Sequence, residues 1–479
     1  MIGIGLNWWQ SIVVIFVSQM ISSIAMAFNS RAASVYHIGF PCVARSVFGM
    51  WGSYYFVGAR AVLAVIWYSV QMYYGAEYMH NMLRAIFGHN FTNIPNALPA
   101  SAGITTSLML AFFLSWLVHL PFCYFRPYQL RKFFWFKTIV SLPSMFGLFI
   151  WAMVNTNGKI GSLYSVSSRS SSATAWLILA GINSGMGNTA TLITNQPDYA
   201  RWAKSRGAPI WTQLTKANGT RNQWDMMSLI LDEYWSSKTR FAVFLCAFAW
   251  FVQILGTNIA ANMMSFGADS AMLFPSFLNI RRGQFIVQFL AWAACPWKIM
   301  TSAAKFQTFL GGYGLFMASV VAIMVCDYFC LTGGNITTAS LFVPTKANKN
   351  YWYHGGVNIQ AVIAYLIGIA LPFPGFCGEL GAKVSSSAAH IMDIAWLTAF
   401  AVSFVSYYVI CTFWPTSSIR EVKERNLTRE QLAPEDDYYD AAITKDEEIT
   451  GAAISSGRFY GHEGNDIPKA FSERKFPVE

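Results

Sequence analysis

Apolar runs of about 20 residues, separated by short polar or charged stretches, set the pattern of the chain. A bilayer core of about 30 Å needs about 20 apolar residues per helix. Ten segments reach or approach that length, at 8–28, 54–76, 105–124, 133–155, 173–195, 241–268, 285–297, 306–325, 357–376 and 394–414. Several carry no charge, and open backbone is not tolerated in lipid, so each is predicted as a helix. Barrel strands would be shorter and would alternate. The first run is too long for a secretory leader and has neither a basic flank nor a small-residue cleavage site. Beyond Pro415 apolar periodicity ends. The expected division is a membrane domain over 1–415 and a cytoplasmic, largely disordered tail over 416–479.

Composition supports an all-α integral membrane protein. Charged residues make up 12% of the 479, against about 25% in soluble domains, while hydrophobic residues reach 54% and aromatics 16%. The tail holds 14 acids and 9 bases although the whole chain is at +10, so the membrane part is strongly basic. Short basic loops between spans are topology signals, which excludes nucleic acid as the expected partner. Arg126, Arg131 and Lys132, then Arg201, Lys204 and Arg206, then Lys346 and Lys349 mark cytoplasmic loops. Asn90-Phe91-Thr92 is a glycosylation sequon that this scheme places outside, used or unused. None of the eight cysteines sits in a C-x-x-C pair, so neither zinc nor a disulfide framework is expected. Lys445, Lys469 and Lys475 read either as a solvated tail or as sites for the ubiquitin machinery.

Three segments hold candidate chemistry. In the fifth, Gly181, Gly185 and Gly187 interleave with Asn183, Ser184 and Asn188 at membrane depth. This suits either an interrupted helix lining a cavity or close packing through small residues. In the second, Trp67 and Gln71 lie four apart, on one helix face. A Trp beside a Gln suits a planar polar ring, though an interfacial Trp and a helix-bonding Gln give the same pattern. In the sixth, Asn258 and Asn262 are also four apart and need partners from other helices or a ligand. No G-x-S-x-G, P-loop or H-E-x-x-H motif occurs, so no enzyme, no cofactor and no ATP-driven pump is expected.

These residues fall in strings that resemble the nucleobase–cation symporter-1 family, specifically its fungal uracil, uridine and allantoin permease branch. The strings are GLNWWQ, NSRAASVYHIGFPCVARSVFGMWGSYY, NQPDYARWAKSRGAPIW, GTNIAAN, FPSFLNIRRGQFI, CPWKI and VCDYF, in the family's order from Gly5 to Pro415. The resemblance implies a LeuT-like fold of two inverted five-helix repeats plus two helices. It implies proton-coupled import of a nucleobase-like solute through the plasma membrane. Trp67 would stack on the ring, and Gln71 and Asn262 would bond its polar edge. Asn188 would meet the ligand, and Arg60, Asn258 and Thr257 would support the site or its gating. Bacterial relatives have a second stacking Trp close to Thr189, which is absent here. Sodium-coupled relatives have Ser at Gly256, so Gly256 beside Thr257 implies protons rather than sodium. Glu77 and Asp269 lie near segment ends and read as solvated anchors.

The chain departs from the family pattern at two places. It begins where the family's second helix begins, and after Trp211 it lacks the seventh. The stretch 224–235 cannot span, because Asp225, Asp232 and Glu233 interrupt it. With ten spans, everything after the fifth would be inverted, and Arg281, Arg282, Lys346 and Lys349 would face out. The expectation is therefore an incomplete chain, either a transporter or a non-transporting membrane protein that retains part of a site.

Overall fold

The computed structural model describes residues 6–125, 127–155, 157, 170–201, 206, 223–301 and 303–434. Every one of the ten apolar runs is helical. The helices are α1 (Trp8–Tyr36), α2 (Phe40–Phe48), α3 (Gly52–Phe87), α4 (Thr106–His119), α5 (Arg131–Asn155), α6 (Ser171–Ala200), α7 (Gln223–Glu233), α8 (Ser237–Asn258), α9 (Ser265–Leu273) and α10 (Ile280–Ala293). They continue as α11 (Ala303–Cys326), α12 (Ile359–Ala370), α13 (Phe373–Glu379), α14 (Ala395–Phe413) and α15 (Ser417–Glu424). Among the described residues seven stretches are long and apolar enough to cross a membrane, and α12 with α13 adds an eighth bent by 50°. Pro372 and Pro374 remove backbone donors at that bend. The 30-residue α6 would also cross, at about 1.5 Å rise per residue, but it is more polar. Among the described residues two π-helical turns interrupt the long rods. Ile259–Met264 joins α8 to α9, and Asp327–Leu331 ends α11.

One face of the bundle gathers the ends of α1, α6 and α11. Arg31 of α1 donates to the Arg206 carbonyl at 3.0 Å and forms a two-pronged pair with Glu430 at 2.9 and 2.7 Å. Tyr36 donates to the Gly334 carbonyl at 2.7 Å. The opposite end is reached by the 36 residues of α3, where Arg84 pairs with Asp232 of α7 and Arg240 of α8 donates to the Ala85 carbonyl at 2.8 Å. Arg206 and α7 therefore lie towards opposite ends of the bundle. The expected inversion of everything after the fifth segment is corrected: the ends of α6 and α11 share one face, and the positive-inside bias makes that face cytoplasmic. Residues 207–222, where the family's seventh helix is expected, lie outside the described residues. The 11-residue α7 is too short to span, as 224–235 predicts.

Small residues bring helices together. A Cβ on Gly185 would lie 2.8 Å from the Ser18 Cβ, so α6 and α1 approach through that glycine. Gly314 of α11 would meet the Gly187 Cα at 3.4 Å. Asn183 is spent on structure: it donates to the Met392 carbonyl at 3.1 Å and accepts from the Trp396 N–H at 2.9 Å. Between the two readings of this segment, packing holds, since α6 runs unbroken through its glycines. The expected tail boundary also moves. Residues to Ala433 belong to the compact unit. Thr416 caps α15, Ile419 is buried, and Glu430 bonds Arg31 and Tyr328. Burial alone would raise the Glu430 carboxyl, but those hydrogen bonds outweigh it and hold it below its ordinary range. Lys445, Lys469 and Lys475 lie outside the described residues.

Gly185→Ala should lower thermal stability in detergent by about 1–3 kcal/mol, because the α1–α6 backbones must part. Gly58, in α3, has nothing within 4 Å of an added Cβ. Gly58→Ala should be neutral or stabilise by up to about 1 kcal/mol. Paired melting curves compare the two.

Candidate functional site

Arg60 stands at the centre of four chain segments and is 1% exposed. Its Nε donates to Asp269 Oδ2 at 2.9 Å, and its second amino group donates to the other oxygen of the same carboxylate. Its remaining amino group lies 2.8 Å from Asp198 Oδ2 and donates to the Thr194 carbonyl at 3.3 Å. The guanidinium also covers the Phe40 ring at 3.9 Å. Asp198 in turn accepts from the Phe40 N–H at 3.1 Å. A planar fork suits this work, because it serves two carboxylates without bending. Asp269 is completely buried and is an ion partner. This corrects its reading as a solvated anchor: the missing signal was a basic partner on another helix, 209 positions away in sequence.

Two turns further along α3, Trp67 and Gln71 share a face as expected. Trp67 is buried, and its indole N–H donates to Tyr313 Oη at 3.0 Å. Tyr313 donates onward to the Gly187 carbonyl at 3.0 Å. This chain of two bonds ties α3, α11 and α6 around the indole and fixes its plane. Tyr313 carried no signal in the sequence, since it is one of 22 tyrosines in a long apolar chain. Asn262 lies in the π turn, whose wider winding redirects the side chains it carries. It donates to Gln71 Oε1 at 3.2 Å and to Asn258 Oδ1 at 2.9 Å. Asn258 donates to the Tyr68 carbonyl at 3.1 Å and anchors the pair to α3. Asn195 of α6 bonds the Ala261 carbonyl in the same turn. Trp67, Gln71, Asn258 and Asn262 are thus brought together. Asn188 lies on α6, but its side chain is outside the described residues.

Thr257 and Gly256 form a second polar spot. Lys137 of α5 donates to Thr257 Oγ1 at 3.0 Å, and Thr257 donates to the Gln253 carbonyl at 2.9 Å. A Cβ on Gly256 would lie 2.5 Å from the Lys137 Cδ. Gly256 therefore leaves room for the lysine stem, and a serine there would collide with it. An ammonium occupies this spot, which the sequence alone did not suggest. Among the described residues no group of three or more His, Cys, Asp or Glu is placed to hold a metal.

Long apolar helices surround a buried polar cluster, the arrangement of an integral membrane protein. Residues 1–398 match the family model described as permease for cytosine/purines, uracil, thiamine, allantoin, and the chain belongs to that family. It is 34% identical over 444 residues to the allantoin permease of Saccharomyces cerevisiae, covering 86% of this chain and 69% of that one. It is 33% identical over 444 residues to the uracil permease of the same organism, covering 86% of this chain and 70% of that one. The fold matches Mhp1, a nucleobase-cation-symport-1 family transporter solved in a closed conformation with bromovinylhydantoin bound. The TM-score is 0.62 at 18% identity, over 88% of this chain and 90% of that one. The relatives are permeases, and the protein is a multi-pass transporter rather than an enzyme.

Replacing Arg60 by Leu leaves two buried carboxylates uncompensated and should destabilise by about 3–5 kcal/mol. Arg60→Lys supplies one point charge and should fall between the two. Size-exclusion profiles and melting of the detergent-extracted variants give the order.

Proposed function

We propose that the protein is a proton-coupled importer of a nucleobase-like solute, of the class of uracil, uridine or allantoin, at the plasma membrane. The observation that carries this reading is the Gln71–Asn262 bond beside the Trp67 indole. An indole face attracts a planar ring, and stacking is worth about 1–3 kcal/mol per base. Outside their mutual bond, Gln71 keeps an amide donor and Asn262 a carbonyl acceptor. That donor–acceptor pair complements the amide edge that uracil and allantoin share. The names of the similar yeast permeases point to the same chemistry. Asn188 is proposed as a further contact, and Arg60 acts by holding α3, α6 and α9 in register rather than by touching the solute.

Proton coupling rests on the Lys137–Thr257 contact. An ammonium beside Thr257 supplies fixed positive charge where a sodium ion would need oxygen ligands. Coupling then passes to groups that gain and lose protons.

Trp67→Ala should weaken solute binding about 5- to 150-fold, the equivalent of the lost stacking, while Trp67→Phe retains most of it. Tyr313→Phe keeps the ring and removes the hydroxyl's hydrogen bonds, so the indole should loosen and affinity fall about 3- to 10-fold. Competition binding on the purified chain measures both. Uptake into vesicles should follow an inward proton gradient and ignore replacement of sodium by choline. Sodium-stimulated uptake would contradict the coupling.

A further inference from the structure

A third buried carboxyl, Asp327, has its own partners outside the Arg60 cluster. Asp327 opens the π turn at the end of α11 and is 5% exposed. Tyr407 of α14 donates to Asp327 Oδ1 at 2.9 Å. Asn358, the cap of α12, donates to Tyr407 Oη at 3.3 Å and to the Val47 carbonyl of α2 at 2.6 Å. One carboxyl, one phenol and one amide thus join α11, α14, α12 and α2. The turn itself is held by the Asp327 carbonyl, which accepts from the Thr332 N–H at 2.8 Å and from Thr332 Oγ1 at 2.9 Å. Gly333 and Gly334 follow at φ 58° and 77°, a backbone that glycine adopts freely.

Among the described residues, the titratable groups whose electrostatics involve Asp327 are cysteines and tyrosines, with no cation among them. They are Cys326 on its own helix, Tyr407 and Cys411 on α14, and Tyr351 and Tyr353 in the segment before α12. Arg45, the base on the adjoining α2, donates to the Leu341 carbonyl at 3.2 Å. Glu421 on α15 pairs with Arg425 at 3.0 Å. Among the described residues Asp327 takes part in no ion pair. A carboxylate buried with one phenol and no cation is unfavourable, whereas the protonated acid is tolerated there. Asp269, with its bidentate guanidinium, shows the opposite solution in the same molecule. Asp327 sits close to the cytoplasmic face, since Cys330, within one turn, is exposed and Gly334 bonds Tyr36.

We propose that Asp327, with Tyr407 and Asn358, is a proton-binding site open to the cytoplasm, and that α11 docks on α12 and α14 only while the site is occupied. When the proton leaves the carboxyl for water on the cytoplasmic side, the anion has no partner to replace it. The turn before Gly333 and Gly334 then opens to let water reach it. Alkaline cytoplasm loosens this end of α11, and acid closes it. The site is independent of which solute binds at Trp67.

Cysteines at the site supply the readout. Cys411 is buried and Cys330 exposed, so the ratio of their labelling by a maleimide reports opening, with Cys330 as the internal standard. In the full-length purified protein, that ratio should rise several-fold as pH is raised. Asp327→Asn keeps the acceptor for Tyr407 but cannot ionise, so its ratio should stay flat and low. Tyr407→Phe removes the one donor to the anion and should shift the rise upward by about 1–2 pH units. A flat ratio in the wild type, or the same rise in Asp327→Asn, overturns the proposal. Neither outcome depends on transport, so the coupling reading stands or falls separately.

Discussion

The structure depends on one guanidinium. Arg60 joins α3 to α9 through Asp269 and to α6 through Asp198, and it rests on Phe40 of α2. Each of those segments carries a piece of the candidate site or its frame. Trp67 and Gln71 are on α3, Asn262 is in the turn before α9, and Gly187 is on α6. In a medium where hydrophobic burial does little to distinguish helix from lipid, a saturated ion cluster supplies the specificity that packing alone lacks. The same cluster fixes the rotation of α3, so Trp67 and Gln71 face inward.

The length of the apolar runs made the spans legible, and every run is mainly helical. The i, i+4 pairs Trp67/Gln71 and Asn258/Asn262 were also legible, because a shared face is a local property. What the sequence hid was contact across long separations. Asp198 and Asp269 have no local feature that names Arg60 as their partner, and a charge near a segment end reads as solvated until the opposite charge is placed beside it. Lys137 likewise gives no sign of reaching Thr257. The glycines of α6 show a different limit. Glycine and amides at membrane depth fit an interrupted helix and a tightly packed one equally, and only the closeness of Ser18 and Gly314 decides for packing.

The two π turns among the described residues each carry a polar side chain of one of these clusters. The first carries Asn262 into reach of Gln71, and the second begins with Asp327. A regular α-helix would carry these side chains at another angle around the axis. An extra residue in one turn is a small local cost that redirects a side chain while the rest of the helix stays packed. Tyr313 lies on α11, upstream of the second turn, so one helix touches both the indole and the buried acid.

The central claim is that a planar, polar ring is held between the Trp67 face and the Gln71–Asn262 edge. An experimental structure of the chain with its tightest-binding ring, chosen from uracil, uridine and allantoin, tests it most directly. The ring should lie parallel to the indole at about 3.5–4.0 Å, with its amide edge bonded to Gln71 and Asn262. A ring bound elsewhere, or bound without contact to the Trp67 face, would contradict this arrangement.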